Sequence, residues 1–388
     1  MTNQIYEYKN YAQIDLDAIA ENYKLLCAEL KEKSPKASPI CVVKADAYGH
    51  GARQCVSALL SLGADFFAVS DISEALEIRE VTDTAKILIL GYTPPANAPV
   101  LIKNNIIQTL HSIPYAEKLS EAIKESQKRG ELDENAKISL HIKLNTGMNR
   151  LGFSVCDDTF DTSIKEILSL RKYEEFSLEG LFTHFACADM LGTEMTERQV
   201  ECFFCAHNAL KEKGLSLKTH VSNSAGSLRY GSQECDYARF GIVLYGLCPS
   251  DEVGHKALKP AMQLFSSIAQ IHVLKKGQSV SYGATYTAKK DMRVATVAIG
   301  YADGLVRACS GGSVTIGGKK AKIIGRICMD QCIVDLGDIE ASEGDRVIIY
   351  DQSGENMEEF ARTAKTINYE LASIVGKRVL RKYKRDDK

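Results

Sequence analysis

The sequence predicts an α/β barrel followed by a second, mainly β domain, and three observations support this fold class. At 388 residues the chain is too long for one ordinary hydrophobic core. As far as about residue 250, short apolar runs alternate with amphipathic helical patterns. Beyond that point β-rich runs follow one another between Gly and Asp turns. We therefore predict domains over residues 1–250 and 251–388, with about the first ten residues expected to pack on the β domain.

The first region contains eight candidate strands. These apolar runs span residues 39–44, 66–70, 86–91, 106–110, 137–143, 177–185, 217–222 and 238–246. Helical patterns lie between them, and a further helix is predicted from Asp17 to Leu30, before the first strand. Eight successive βα units are what a closed (β/α)8 barrel, or TIM barrel, requires, whereas an open doubly wound sheet usually has fewer.

The second region is dominated by short strands. Its β-rich runs span residues 265–274, 293–301, 312–325 and 345–351. The stretch "GSVTIGGKKAK" lacks the spacing of a phosphate-binding P-loop and the helix that follows one, so we interpret it as a hairpin. A late helical pattern covers 355–376, and the basic end 377–388 is interpreted as a final strand with solvated ends rather than a nucleic-acid site.

The composition excludes several classes of protein. The formal net charge is −2, with 45% hydrophobic and 25% charged residues, so the protein has no field strong enough to attract nucleic acid. The N-terminus lacks the basic start and apolar centre of a secretory signal, and no apolar stretch is long enough to span a bilayer. We expect a cytoplasmic protein without nucleic-acid or membrane partners.

The twelve cysteines are scattered along the chain, which predicts reduced, buried thiols rather than a disulfide framework. Cys202 and Cys205, with His207 nearby, resemble part of a zinc site. They lie within a helical pattern, however, and no second pair stands at a suitable distance. We interpret them as part of a core-facing helix and predict no metal site.

Polar residues stand at the ends of several predicted strands. Lys44 ends the first strand, His184 ends the sixth, "SNSAG" (222–226) follows the seventh, and Arg239 and Gly241 lie in the eighth. Any one of these alone is readily explained as a solvated or scaffold residue. In a (β/α)8 barrel, however, the C-terminal ends of the strands form one rim, where active sites are found. Their convergence predicts a site at this rim.

Lys44 suggests the chemistry of that site. An amine near desolvating walls has a lowered pKa, can act as a nucleophile at neutral pH and can form a Schiff base with an aldehyde. Pyridoxal 5′-phosphate (PLP) is the obvious aldehyde. Tyr48 is placed to reach its phosphate, and "NSAG" supplies a hydroxyl and backbone N–H groups at a predicted helix start.

The stretch "VVKADAYGHG" (42–51) resembles the cofactor-lysine signature of the alanine racemases, which belong to PLP fold-type III. The resemblance extends over almost the whole chain. It is carried by "DLDAIAENY", "KLNTGMNRLGF", "GLFTHFACAD", "NSAGSLR", "RFGIVLYGL", "SYGATYTA", "IGYADG", "GRICMDQC" and "TINYE", in this order. It implies a PLP-binding TIM barrel with a C-terminal β domain, a homodimer with shared active sites, and production of D-alanine for cell-wall peptidoglycan.

The resemblance also implies two catalytic bases. Lys44 would bind PLP covalently and remove the α-proton of D-alanine, and Tyr282 would remove that of L-alanine from the opposite face. Racemisation needs two faces, because a proton taken from one side of a planar carbanion must be returned from the other. An ordinary tyrosine pKa of about 10 is poorly matched to a base at neutral pH, so Tyr282 needs a partner.

Further roles follow from the resemblance at matching positions. The implied phosphate contacts are Tyr48, Ser224, Gly241, Ile242 and Tyr369. Arg239 would contact the pyridine nitrogen and His184, and the latter would also contact the catalytic tyrosine. The implied substrate and entrance residues are Arg150, Met329, Asp330 and Tyr301. Lys143 matches a lysine that is often carbamylated, and its carbamate would hold Arg150 in place.

Some positions depart from common forms of the motifs, namely Asn145 before "TGM", Leu305 and Val306 after "YADG", and Leu380 in "RVLR". None of them removes a proposed base or phosphate contact. Three alternatives remain: a racemase of serine or another small amino acid, a decarboxylase on a related scaffold, and a noncatalytic PLP-binding protein. The decarboxylases lack this set of "SYGATY" and "ICMDQC" motifs, and PLP carriers generally lack the β domain.

Overall fold

A computed structural model describes residues 9–385. The chain begins with strand β1 (Tyr11–Asp15), which leads directly into helix α1 (Leu16–Lys33). Asp15 caps this helix, because its carboxylate accepts a bond from the backbone N of Ala18 at 2.9 Å. The helix predicted from Asp17 is therefore present, and it buries Ile19.

A closed parallel barrel follows. Its strands are β2 (Ser38–Val42), β3 (Phe66–Val69), β4 (Lys86–Ile89), β5 (Ile106–Leu110), β6 (Ile138–Asn145), the short edge strand β7 (Phe153–Ser154), β8 (Phe176–Phe182), β9 (Lys218–His220) and β10 (Tyr237–Phe240). Pairing runs β5-β4-β3-β2-β10-β9-β8-β6, and β5 also pairs with β6, which closes the barrel. The predicted (β/α)8 barrel is confirmed.

The eighth candidate strand is shorter than predicted. The run 238–246 is a strand only as far as Phe240, and a 3-10 turn occupies Ile242–Tyr245. Gly241 separates the two with φ −109° and ψ −109°, a conformation outside the strand region. Hydrophobicity alone does not distinguish a buried strand from a buried turn, which is why the sequence pattern overextended this strand.

Helices surround the barrel. In chain order after α1 they are α2 (Lys44–Tyr48), α3 (Ala52–Leu60), α4 (Ile72–Arg79), α5 (Ala98–Lys103), α6 (Ile113–Lys128), α7 (Phe160–Ser169), α8 (Met195–Glu212) and α9 (Ser224–Tyr230). Cys202, Cys205 and His207 all lie on α8, as the helical pattern indicated. Five cysteines are buried, six are partly buried and Cys205 is exposed. The expectation of buried thiols is therefore confirmed for five cysteines and wrong for Cys205.

The second sheet is mainly antiparallel. Its part of the chain contains β11 (Met262–Leu274), β12 (Ser279–Val280), β13 (Tyr286–Thr287), β14 (Met292–Val297), β15 (Ser313–Ile316), β16 (Lys319–Ile324), β17 (Cys332–Asp335), β18 (Arg346–Tyr350), α10 (Glu355–Ala364), α11 (Asn368–Ser373) and β19 (Leu380–Lys384). The large sheet has the order β14-β17-β16-β15-β18-β11-β1-β19. Strands β15 and β16 form the hairpin predicted for "GSVTIGGKKAK".

The N-terminal strand belongs to the second sheet. Strand β1 pairs antiparallel with β11 and parallel with β19. Asn10 donates a side-chain bond to the carbonyl of Ala298 at 3.0 Å. We predicted that about the first ten residues pack on the β domain, but residues 1–8 lie outside the described residues. Residues 386–388 of the basic end also lie outside them. The division at residues 250 and 251 stays a prediction.

No helix between residues 9 and 385 combines the length and the apolar character needed to cross a bilayer.

Candidate active site

Lys44 stands just beyond the end of strand β2, at the start of an unusual turn. Residues 45–48 all have φ between 52° and 54°, so they form one turn of left-handed helix without any glycine. Each non-glycine residue in this conformation costs about 1–2 kcal/mol. The turn must therefore be held by its surroundings.

Carboxylates and a buried histidine hold this turn. Glu74 accepts from the backbone N of Ala45 at 2.6 Å and from that of Ser70 at 2.7 Å. Asp46 accepts from the backbone N of Ala52 at 2.7 Å. The His50 ring contacts the carbonyls of residues 47 and 48, each at 3.0 Å. These bonds connect the turn to helices α3 and α4 and offset its backbone strain.

The C-terminal part of the chain closes over the same turn. Gly49 has φ +81°, and a Cβ placed there would lie 2.2 Å from the carbonyl oxygen of Ala372 in α11. Arg381 donates to the Gly49 carbonyl at 3.2 Å. Glycine is required at position 49 because the turn and α11 approach each other this closely.

The electrostatic environment of Lys44 favours the unprotonated amine, which can act as a base. Burial lowers the pKa of its ammonium, and the nearby cations Arg150 and Arg239 lower it further, while Glu74 acts in the opposite direction. An amine that loses its proton more readily is a better nucleophile and base near neutral pH. This agrees with the chemistry that the sequence suggested for Lys44.

A small cradle lies beside the Lys44 turn. The Ser224 hydroxyl accepts from the backbone N of Gly241 at 2.9 Å, and the Tyr48 ring lies 6.1 Å from that of Tyr369. A Cβ on Gly241 would stand 2.8 Å from the Tyr48 hydroxyl and 3.2 Å from the Ser224 hydroxyl. Position 241 therefore keeps open a space bordered by two hydroxyls and backbone, and Ile242 is buried directly behind it. Such donors fit a phosphate dianion.

Arg239 is 2% exposed and extensively bonded. Its Nη1 donates to Nδ1 and to the carbonyl of His220, at 2.7 and 3.0 Å. Its Nη2 donates to the carbonyls of Thr183 and Val221 and to Nδ1 of His184, at 2.9, 2.8 and 3.3 Å. Burial lowers the pKa of Arg239 to about 10, so the guanidinium still carries its charge at neutral pH.

The cations around Arg239 affect one another. Burial, followed by Arg239, holds the pKa of His184 well below its usual range, so this imidazole is neutral. Burial and the charges of Arg239, Arg150 and Lys44 lower the pKa of Lys143 to about 7. The Lys143 ammonium also lies 4.7 Å from the centre of the Phe182 ring. A rim with this many cations favours an anionic ligand.

The remaining predicted residues lie on the β domain. Tyr282, Met329 and Asp330 line one cavity of about 580 Å³ together with Ser281, Cys328 and Gln331. Tyr301 is adjacent, since its backbone N donates to the carbonyl of Cys328 at 3.1 Å. Tyr282 and Met329 are 69% and 52% exposed. Asp330 pairs with Arg378 at 2.8 Å.

The predicted site residues thus form two groups. The first group lies at the barrel rim and consists of Lys44, Tyr48, Lys143, Arg150, His184, Ser224, Arg239, Gly241 and Ile242, with Tyr369 added from α11. The second group is Tyr282, Tyr301, Met329 and Asp330. The rim group fits PLP, because it combines an amine of lowered pKa with an open cradle of phosphate-binding donors. All residues that line the cavity of the second group come from the β domain.

Sequence reasoning missed residues that support the rim group. Glu74 holds the Lys44 turn from a different βα unit, and no motif marked it. His220 was visible as a polar residue in the seventh strand, but its contact with Arg239 depends on the barrel closing. Gln199 lies in the second turn of α8, where the sequence pattern predicted only a core face.

Comparisons with known proteins agree with this site. The family model described as "Alanine racemase, N-terminal domain" matches residues 14–249, and "Alanine racemase, C-terminal domain" matches 261–383. "Alanine racemase 1" of Clostridium acetobutylicum is 38% identical over 381 residues, which cover 96% of this chain and 95% of that protein.

Solved structures give the same result. The alanine racemase of Clostridium difficile 630 superposes with a TM-score of 0.87 at 36% identity and covers 100% of this chain and 98% of that one. The Bacillus anthracis alanine racemase with bound L-Ala-P gives a TM-score of 0.88 at 32% identity, covering 99% and 97%. Because both family models and full-length relatives match, this chain belongs to the alanine racemases, a family of PLP-dependent isomerases.

Proposed function

We propose that the protein interconverts L-alanine and D-alanine with PLP, using Lys44 and Tyr282 as the two bases. The single observation that carries this proposal is the position of Lys44, whose amine has a lowered pKa and whose turn borders the Ser224 and Gly241 cradle through Tyr48. The names of its relatives support alanine as the substrate.

PLP would be held covalently by Lys44, with its phosphate between the Tyr48, Ser224 and Tyr369 hydroxyls and the backbone of Gly241 and Ile242. When bound, PLP withdraws electrons from the α-carbon of the amino acid and thereby acidifies the α-proton. The protein would orient PLP and the substrate, and its side chains would transfer the protons. It keeps the Tyr48 hydroxyl protonated, since burial raises the pKa of this group, and a protonated hydroxyl can donate to phosphate.

The two bases would act on opposite faces. The unprotonated Nζ of Lys44 would take the α-proton of D-alanine, and the deprotonated oxygen of Tyr282 would take that of L-alanine. Each base, once protonated, returns its proton during the reverse reaction. Because Nδ1 of His184 accepts from Arg239, the proton of this neutral ring is on Nε2. His184 would therefore donate to the Tyr282 oxygen and stabilise it after it has lost its proton.

Arg239 would limit the reaction to proton transfer. Guanidinium groups donate hydrogen bonds and do not give up their protons at neutral pH. If it contacted the pyridine nitrogen of PLP, Arg239 would leave that nitrogen unprotonated and so would moderate the electron withdrawal. Its bonds to the His220 and Thr183 carbonyls keep it in one orientation.

The substrate carboxylate would meet Arg150 and the backbone of Met329. Arg150 is exposed at the rim and is close enough to influence the pKa of both Lys44 and Lys143. A carbamate on Lys143 would convert a neighbouring cation into an anion that holds Arg150. Asp330 and Tyr301 would border the entrance.

The site would be completed across a homodimer. Tyr282 and Met329 are exposed in the single chain, and their cavity is formed by the β domain. Large apolar side chains exposed at a cavity favour a partner surface. In a two-fold dimer each β domain would face the barrel rim of its partner. We further propose a cytoplasmic location and a role in supplying D-alanine for peptidoglycan.

The test is deuterium exchange at the α-carbon, followed by chiral chromatography. Incubation of the PLP-loaded protein in D2O with L-alanine or D-alanine should give exchange and interconversion in both directions. L-serine in the same assay separates alanine from serine racemisation, since one small group usually changes specificity by only about 1–3 kcal/mol. Bound PLP without exchange would identify a noncatalytic PLP-binding protein and reject the proposal.

A further inference from the structure

Helix α8 buries a glutamine that the proposed chemistry does not use. Gln199 is 0% exposed and shares the buried face of the helix with Thr196, Phe203, Ala206 and Leu210. An amide in such a position is stable only when its hydrogen-bonding groups are satisfied. The partners of Gln199 therefore show what this side chain holds in place.

The Gln199 amide joins two segments at the barrel rim. Its Oε1 accepts from the backbone N of Ala186 at 2.9 Å, and this fixes the amide orientation because a backbone N–H only donates. Its Nε2 donates to the carbonyl of His184 at 3.0 Å and to the hydroxyl of Thr146 at 3.2 Å. Thr146 begins the loop that carries Arg150. One side chain thus connects that loop to the backbone of His184.

Two threonine hydroxyls extend the connection. Thr183 donates its single hydroxyl proton to the carbonyl of Leu144 at 3.0 Å. The 2.7 Å contact between the Thr146 and Thr183 hydroxyls therefore has Thr146 as its donor. The chain of bonds runs in one direction, from Gln199 through both threonines to strand β6. The Thr183 carbonyl also accepts from Arg239 at 2.9 Å, so the same network reaches the guanidinium.

The network begins where the sheet ends. The register between β6 and β8 stops at the pair Lys143 and Phe182. Beyond this pair, the segment after β6 leads to Arg150 and the segment after β8 leads to His184. The Gln199 network joins these two segments where the backbone hydrogen bonds between the strands have ended.

We propose that Gln199 is a positioning residue that fixes the separation between the Arg150 loop and the His184–Arg239 pair. The catalytic consequence rests on the proposed function, whereas the structural part concerns only the two rim segments. Gln199 acts through residues 146 and 184 and not through contact with the substrate.

The principal test is Gln199→Glu in the PLP-loaded protein. This change keeps the size of the side chain but places a carboxylate oxygen against the His184 carbonyl and removes the donor to Thr146. Small displacements of catalytic groups cost up to about 100-fold, so we expect kcat/KM to fall by about 10- to 100-fold at alkaline pH. Gln352→Glu makes the same chemical change on an exposed turn and serves as the matched control.

The pH profile separates positioning from general damage. Protonation of the introduced carboxyl restores one hydrogen-bond donor, and burial beside carbonyl oxygens raises the pKa of such a group. The ratio of kcat/KM between Gln199→Glu and the unaltered protein should therefore rise as the pH falls. A variant that is merely destabilised would show this rise only where part of it is unfolded. The unfolding midpoint is therefore measured over the same pH range, and the ratio is compared where both proteins are fully folded.

Hydrogen exchange provides a readout that does not depend on activity. Backbone amides in segments 144–155 and 183–188 should exchange faster in Gln199→Glu than in the unaltered protein, with no change in Gln352→Glu. Thr146→Val removes the two bonds of the Thr146 hydroxyl, to Gln199 and to Thr183, while the bonds of Gln199 to Ala186 and His184 remain. It should therefore give a smaller change of the same kind. This second variant keeps the test decisive if Gln199→Glu does not fold.

Two different failures can be distinguished. The inference would be overturned if the unaltered protein is active and the Gln199 and Thr146 variants keep its kcat/KM, show no pH dependence of the kcat/KM ratio, and exchange their amides at unchanged rates. Absence of racemisation in the unaltered protein would overturn the proposed function instead. In that case the exchange rates of the two segments still decide whether Gln199 holds them together.

Discussion

Nη1 of Arg239 lies 2.7 Å from Nδ1 of His220, and this contact determines the protonation of two buried histidines. Because the guanidinium only donates, Nδ1 of His220 accepts, and the His220 proton is on Nε2. That nitrogen lies 2.9 Å from Nδ1 of His141, which therefore accepts in turn. Both rings are neutral: burial holds the pKa of His220 well below its usual range and lowers that of His141 to about 3.

The first prediction is that acid destabilises the fold partly through His141. In the unfolded chain this ring takes up a proton near pH 6.5, whereas the folded state resists protonation down to about pH 3. The unfolded state thus binds more protons in this window. The free energy of unfolding should fall with decreasing pH, by at most about 1.4 kcal/mol per pH unit for one histidine.

The measurement is the thermal unfolding midpoint between neutral pH and about pH 5, compared with that of His141→Phe. The variant should be less stable at neutral pH, because the His220 N–H loses its acceptor, but its midpoint should fall less steeply with acid. Parallel curves for the two proteins would show that His141 does not contribute to the pH dependence.

The second prediction concerns the shared site. Lys44→Ala and Tyr282→Phe should each be nearly inactive alone, since each removes one of the two bases. If the bases come from different chains, a mixture that exchanges subunits should regain about a quarter of the normal activity, because half of the dimers are hybrid and each hybrid has one intact site of two. Subunit exchange is checked with differently tagged chains. Proven exchange without recovery would place both bases in one chain.

The sequence predicted the barrel because each parallel strand, being buried on both faces, appears as a continuous apolar run. It predicted Lys44, His184, Ser224, Arg239 and Gly241 at the rim because strand ends converge in a barrel. Lys143, Arg150 and Tyr369 followed only from the family resemblance. It did not predict that β1 pairs with β11 and β19, since strand pairing over such separations leaves no local pattern. The left-handed turn after Lys44 was also missed, because Ala and Tyr have no preference for positive φ and Glu74, from another unit, helps to stabilise it.

The third prediction tests the approach of α11 to the Lys44 turn. Gly49→Ala places a Cβ 2.2 Å from the Ala372 carbonyl, at a backbone position with φ +81°. Gly63→Ala is the matched control, with φ +88° and no atom within 4 Å of the new Cβ. The control should cost about 1 kcal/mol from its backbone conformation alone. Gly49→Ala should cost more and should also lower PLP content, because the Lys44 turn has to move. Equal shifts of the unfolding midpoint in both variants would contradict this close contact.

The fourth prediction concerns carbamylation of Lys143. Carbamate forms from the unprotonated amine, and burial with the neighbouring cations lowers the pKa of Lys143 to about 7. Incubation with 13C-bicarbonate should therefore give a carbamate signal in NMR spectra that grows as the pH rises through about 7. The signal should disappear in Lys143→Met and persist in Lys86→Met, where the lysine is exposed.

The same Lys143 variant should affect the enzyme mainly through substrate binding. Without the carbamate, Arg150 loses an anionic partner, and we expect the KM for alanine to rise more than kcat falls. Lys86→Met should leave both constants unchanged. A carbamate signal that survives in Lys143→Met would assign the modification to another amine, and an unchanged KM would show that Arg150 is positioned without it.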